Sequence, residues 1–208
     1  MTAAFIIRFH YEPEDPRFAW RFQYFRDAVL PRILAQGEGF DIAIWCNAAH
    51  RALFLELSDR IRVFDVRGTR AEYRPGTRFF FDFAPWEDVI GLPKYELQLG
   101  IDSDDLIMPG YLEHVRAAIE LEGARYVCFQ PELIAVEGGL VKSMPAYTDR
   151  RGSAFFALYQ PAGTEPYIFA YSESHLTIGQ NFPPETRRVM PAGFAYASCH
   201  ELNESTHL

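Results

Sequence analysis

A chain of 208 residues that is 49% hydrophobic and 15% aromatic is long enough to bury a sizeable core, which excludes disorder as its overall state. Its formal charge of −8, from 20 Lys and Arg against 28 Asp and Glu, excludes a surface built mainly to grip nucleic acid. No run approaches the roughly 20 apolar residues that span a bilayer, and no basic stretch with a long apolar core follows Met1, so the expectation is a soluble, cytoplasmic protein without a transmembrane segment.

The opening AAFIIRF is an almost continuous apolar run, the pattern of a strand buried on both faces of a mainly parallel sheet. After the turn-rich HYEPEDPR, the residues Trp20, Phe22, Phe25, Val29, Ile33 and Leu34 recur at helical spacing, with Pro31 predicting a kink or a break. FDIAIWC reads as a second strand, RALFLELSD as a short helix and IRVFDV as a third strand, the alternation that opens a doubly wound α/β sheet. RGTRAEYRPGTR, with Arg67, Arg70, Arg74 and Arg78 among Gly and Pro, reads as a loop, either solvated or closing over a diphosphate. The following RFFFDFAPW has the Phe density of a core, or of a cleft for sugar.

YELQLGI predicts the end of a helix running into a fourth strand, and PGYLEHVRAAIELEG an amphipathic helix with Pro109 near its first turn. Beyond Gly123 the runs RYVCFQ, ELIAVEGGLVKSM and AFFALYQ are short, EGG supplies a hairpin turn, and GFAYAS is a last strand, so the second half is expected to be mixed or antiparallel. No repeat or linker divides the chain, which is read as a single domain over 1–208. Cys46, Cys128 and Cys199 are odd in number, far apart and set in apolar runs, as reduced core residues are.

Between the fourth strand and its helix stands DSDD. Like charges this close are costly unless a cation lies between them or water surrounds them. Two readings follow. Asp102, Asp104 and Asp105 are hard oxygen ligands for Mg²⁺ or Mn²⁺, placed in a strand-end loop where open α/β sheets bind ligands. Alternatively they form a solvated turn that caps the following helix.

The order IIRFH, WRFQYFRDAVLPRILAQ, FDIAIW, GIDSDDLIMPGYLEHV and ASCHELNEST resembles a rhamnosyltransferase family, a branch of the GT-A glycosyltransferases, over most of the chain. Its Arg-Phe strand end is matched by Arg8 and Phe9, its helix pattern by Arg21, Phe25, Leu30, Pro31 and Gln36, its central motif by Asp102 to Asp105, and its C-terminal pattern like VVHGxN by His200 and Asn203. Two departures stand out: where the family has TRLDSDD, this chain carries Leu99 and Gly100 in place of the Thr-Arg end, and AGFAYAS replaces the Trp-containing lead into the His strand.

The resemblance implies a GT-A fold (Rossmann-like, a mainly parallel central sheet with helices on both faces and a mixed or antiparallel C-terminal part), with a nucleotide-sugar half over about 1–123 and an acceptor half over about 124–208. It implies transfer of a sugar from a nucleotide-diphosphate donor to a hydroxyl of a saccharide, lipid-linked glycan or protein. Asp102, Asp104, Asp105 and His200 would hold Mn²⁺ or Mg²⁺ on the diphosphate, while Arg8, Phe9, His10, Arg21, Ser103 and Asn203 would contact substrate. The metal would stabilise the leaving diphosphate as a Lewis acid. An inverting transfer also needs a carboxylate base; Glu173, crowded by His175 and aromatics, is the first candidate, before Asp149 and Glu165. A homo-oligomer or partner subunit is a further expectation for completing the acceptor side. The competing readings are a metal-dependent nucleotidyltransferase or phosphohydrolase, and a catalytically inactive nucleotide-sugar-binding protein.

Overall fold

The computed structural model describes the backbone of residues 1–9, 11–67, 70–73, 80–130, 132–137, 140–144, 155–173, 177–191 and 193–199; side chains are described over the same residues except 70–73, 80–83, 132–137, 140–144 and 197–199. In chain order, β1 (Ala3–Phe9) leads into α1 (Arg17–Tyr24), a π-helical turn (Phe25–Val29) and α2 (Leu30–Leu34). The helical run absorbs Pro31 without breaking: the proline falls in the first turn of α2, directly after the widened turn, where its missing N–H is tolerated. Then come β2 (Asp41–Cys46), α3 (Arg51–Leu55), β3 (Ile61–Val66), β4 (Arg70–Tyr73), β5 (Phe80–Phe83), β6 (Val89–Ile90), β7 (Leu97–Asp102) and β8 (Leu106–Ile107). The second half holds α4 (Tyr111–Glu122), β9 (Tyr126–Phe129), β10 (Glu132–Glu137), β11 (Leu140–Met144), β12 (Phe156–Tyr159), β13 (Arg187–Met190) and β14 (Ala195–Cys199).

Three expectations need correction. The segment RGTRAEYRPGTR is not all loop, since Arg70–Tyr73 pairs antiparallel with Phe80–Phe83. No helix leads into β7; residues 92–95 are irregular. Pro109 precedes α4, whose first flanking residue is Gly110 at φ 88, a left-handed conformation that glycine adopts without the Cβ penalty.

Eight strands form one sheet in the order β13-β9-β12-β7-β1-β2-β3-β6. The pairs β13–β9, β7–β1, β1–β2 and β2–β3 are parallel, and β12 runs antiparallel between β7 and β9. A smaller sheet has the order β11-β10-β14-β8. One face of the large sheet, carrying Phe5, Ile7, Phe9, Leu99 and Ile101, packs on the π-helical turn, α2, α3 and α4 through Phe25, Ile33, Phe54, Val115 and Ile119. The other, carrying Ala4, Ile6, Trp45 and Phe156, is covered by irregular chain and short 3-10 turns through Leu92, Phe169, Tyr171, Ile178 and Phe182. Helical segments therefore lie on both faces, but the α-helices gather on one. Among the described residues no helix is long and apolar enough to cross a membrane.

Candidate functional site

The chain leaves β1 towards β2 and leaves β7 towards β9, in opposite directions across the sheet, so the carboxyl ends of β1 and β7 flank the crevice where open α/β sheets bind ligands. Arg8 and Asp102 are register partners at that edge. Both are half-buried and both project on the helix-poor face, as the alternation along each strand requires.

Tyr171 holds this pair of strand ends together. Its buried hydroxyl aims its proton at the carbonyls of Ile6 (3.2 Å) and Ile101 (3.1 Å) and accepts the Arg8 N–H at 3.3 Å. The Arg8 guanidinium lies 5.5 Å from the centre of its ring, within cation–π range. Burial, reinforced by the charge of Asp102, pushes the Tyr171 phenol far above its ordinary pKa, so it stays a neutral donor. The segment that delivers Tyr171 is docked by two buried glutamines. Gln98 donates to Ile168 O at 2.8 Å and accepts from Ala170 N at 2.9 Å, while Gln160 donates to Ile168 O at 2.7 Å and accepts from Ile168 N at 2.8 Å. Ala84 N donates to Tyr171 O at 2.9 Å, which places the exit of the β4–β5 hairpin beside the same crevice.

The acidic turn is neither a solvated cap nor an open fan of carboxylates. Asp102 ends β7 half-buried, but Ser103, Asp104 and Asp105 are buried. Arg21 Nη1 lies 2.6 Å from Asp104 Oδ1, with side chains only 8% and 5% exposed, and donates to Ser103 Oγ at 3.3 Å. The Asp105 N–H donates to Asp102 O at 3.2 Å, closing the turn. Tyr24, one helical turn beyond Arg21, is pushed up to about 12 by burial and then by the charges of Asp104 and Asp105. Tyr11 completes this wall, 5.9 Å from the Arg21 guanidinium. The start of α4 is capped from elsewhere: Gln36 Oε1 accepts from Leu112 N at 3.2 Å, and its amide donates to Met108 O at 3.0 Å. Gln36 does the capping that one of the two readings gave to the acidic turn.

Of the residues expected to touch substrate, Arg8 lies at the crevice, whereas Arg21 and Ser103 are turned inward against the acidic turn. Phe9 is wholly buried among Phe18, Phe25 and Phe54, which makes it a core residue with no surface for a ligand. Glu173 accepts a hydrogen bond from Asn181 Nδ2 at 3.0 Å, two residues beyond Tyr171. Glu165 pairs with Lys94 before the start of β7, at the opposite edge of the sheet. His10, Asp149, His175, His200 and Asn203 lie outside the described residues.

Among the described residues no three His, Cys, Asp or Glu side chains are grouped so as to hold a cation. Mg²⁺ and Mn²⁺ can be held by only one or two protein carboxylates when phosphates supply other ligands. Of the three carboxylates of the turn, Asp102 is the one left partly exposed.

No model of a known protein family matches the sequence, and no curated protein is similar enough to count as a relative. Solved structures do match the fold. Residues 1–349 of TarS from S. aureus in complex with UDP-GlcNAc superpose with a TM-score of 0.55 at 12% identity, over 100% of this chain and 61% of that one. The same portion alone gives 0.52 at 13% identity, over 95% and 60%. Its complex with UDP gives 0.50 at 12%, over 96% and 61%. This chain therefore spans 61% of the length of the first of these structures. The likeness shows the fold alone, a GT-A-like one: mixed α/β with a large, mostly parallel sheet.

Proposed function

We propose that the chain is a glycosyltransferase that takes a sugar from a nucleotide-diphosphate donor bound at the crevice between β1 and β7. The observation that carries this reading is the register pairing of Arg8 with Asp102 at the carboxyl edge of a GT-A-like sheet, at its topological switch point. Support comes from the fold neighbour TarS, whose structures hold UDP-GlcNAc and UDP.

In this reading Arg8 faces the diphosphate with a cation that Tyr171 orients from below, through its ring and through the Arg8 N–H. Asp102 holds a divalent cation on the same diphosphate; when bound, that ion supplies Lewis-acid stabilisation of the leaving group. The neutral Tyr171 phenol keeps the strand ends at fixed spacing without adding a second negative charge. Glu173 is the proposed base for the acceptor hydroxyl, carried on the chain that follows Tyr171 and oriented by Asn181.

The test is a calorimetric screen of UDP-, GDP- and dTDP-sugars with and without Mn²⁺, followed by product analysis. Binding of one donor class and release of its nucleoside diphosphate are expected. Release of pyrophosphate or a nucleoside monophosphate would replace sugar transfer with chemistry at phosphorus. Failure of every donor to bind would overturn the reading altogether.

A further inference from the structure

Three carboxylates within four residues pose a problem of division of labour. Asp104 cannot be read as an exposed ligand waiting for a cation, because its Oδ1 sits 2.6 Å from a guanidinium nitrogen and its side chain is 5% exposed. Arg21 reaches it from α1 across the fold and holds Ser103 by the same nitrogen. Arg21 also belongs to a connected wall, since both Arg17 and Arg21 lie over the Tyr11 ring, at 5.5 and 5.9 Å. A buried pair of this kind is costly to break on one side, because the remaining partner loses its charge-balancing contact away from water.

Resting on the transferase reading above, we propose that Arg21 and Asp104 form a positioning clamp: the pair cancels one charge of the DSDD turn and pins that turn to α1, leaving Asp102 as the carboxylate that meets the donor diphosphate and its cation. Arg21 is then a positioning residue, acting through Asp104 and Ser103, and never touches substrate. Asp104, despite its place in an Asp-x-Asp pattern, serves the fold of the turn.

The experiment is a double-mutant cycle of Arg21→Met, Asp104→Asn and the two together, beside Asp102→Asn. It is read in two ways, by urea unfolding and by calorimetric affinity for UDP-GlcNAc with and without Mn²⁺ at a temperature where every variant is folded. The clamp predicts that each single change in the pair lowers the unfolding midpoint and weakens Mn²⁺-dependent binding about 10-fold. The double change should recover to within about 3-fold of the parent, since removing both charges restores the charge balance that either single change upsets. Asp102→Asn should instead keep the parent's unfolding midpoint and lose Mn²⁺-dependent binding by about 100-fold or more. Arg21→Lys, which keeps the charge, should recover binding over Arg21→Met.

Three results would overturn the clamp. One is Asp104→Asn behaving like Asp102→Asn, with stability intact and the Mn²⁺ dependence gone. Another is strict additivity of the two losses in the cycle. The third is an Arg21→Met variant indistinguishable from the parent. A parent that binds no nucleotide sugar overturns the transferase reading instead, and the unfolding arm of the cycle still judges the clamp.

Discussion

Two ion pairs of the same length stand at opposite edges of the large sheet. At the carboxyl edge Arg21 meets Asp104 at 2.6 Å with side chains 8% and 5% exposed; at the amino edge Lys94 meets Glu165 at 2.6 Å with side chains 43% and 66% exposed. Distance alone makes them equivalent, and burial separates them. The exposed pair shares its charges with water and salt, while the buried one has only its partners. Other polar contacts at the amino edge are only partly covered. Tyr95 donates to Asp41 Oδ2 at 2.7 Å, Asp41 meets Arg62 at 3.6 Å, and the N-terminal amine meets Glu96 at 3.6 Å. An edge that only closes a sheet can leave its charges to solvent. In the proposed reading the carboxyl edge holds the donor, and there the carboxylates are fixed before it arrives.

Mutation can break this contrast in order of size. Arg21→Ala is expected to cost about 3–5 kcal/mol, the cost of stranding a buried charge, measured as a loss in urea-unfolding free energy. A loss under about 1 kcal/mol would mean that water reaches Asp104. Tyr171→Phe removes the hydroxyl that joins the ends of β1 and β7 and leaves the Arg8 N–H without that acceptor, for about 1–3 kcal/mol. It should also weaken nucleotide-sugar binding by loosening Arg8, so a variant with lower stability and unchanged affinity would detach Tyr171 from the site.

The amino edge should give smaller effects. Tyr95→Phe removes one hydrogen bond to a half-exposed carboxylate and is expected to cost about 1 kcal/mol, with nucleotide-sugar affinity untouched. Lys94→Ala should lower the thermal midpoint at neutral pH only slightly, because both groups are largely exposed. Its signature is the pH dependence, the difference from the parent shrinking in acid. The hydrogen bond from Lys94 holds the Glu165 carboxyl below its ordinary value, so the pair contributes above the unfolded carboxyl pKa and that contribution is lost as pH falls through the depressed folded one. Lys94→Ala should therefore flatten the acid limb of stability slightly; a steeper limb would reverse the assigned sign.

Much of the frame was legible because burial on both faces writes itself as unbroken hydrophobicity. AAFIIRF, DIAIWC and YVCF could hardly be anything but inner strands, and DSDD after LQLGI announced a strand end. What stayed hidden were partnerships made by the fold. Arg21 is 82 residues from Ser103, and although the resemblance marked it as a substrate contact, nothing in its helical run announces the acidic turn as its partner. Tyr171 sits in a stretch without periodicity. One signal did point to it: Gln98, a polar side chain inside a strand buried on both faces, must find partners, and they are the residues leading to Tyr171. The pairing of β4 with β5 was obscured by the Arg, Gly and Pro between them, which weigh against a strand whichever way its ends are paired.

Gly100 lies two residues before Asp102 on the same face of β7, opposite Phe156 on β12. A Cβ there would stand 2.4 Å from the Phe156 ring, so the two positions share one volume. A side chain at 100 can be accommodated only if the Phe156 ring swings aside or is replaced by something smaller. On this face of the sheet the ring of one strand therefore stands where a side chain of its neighbour would otherwise be.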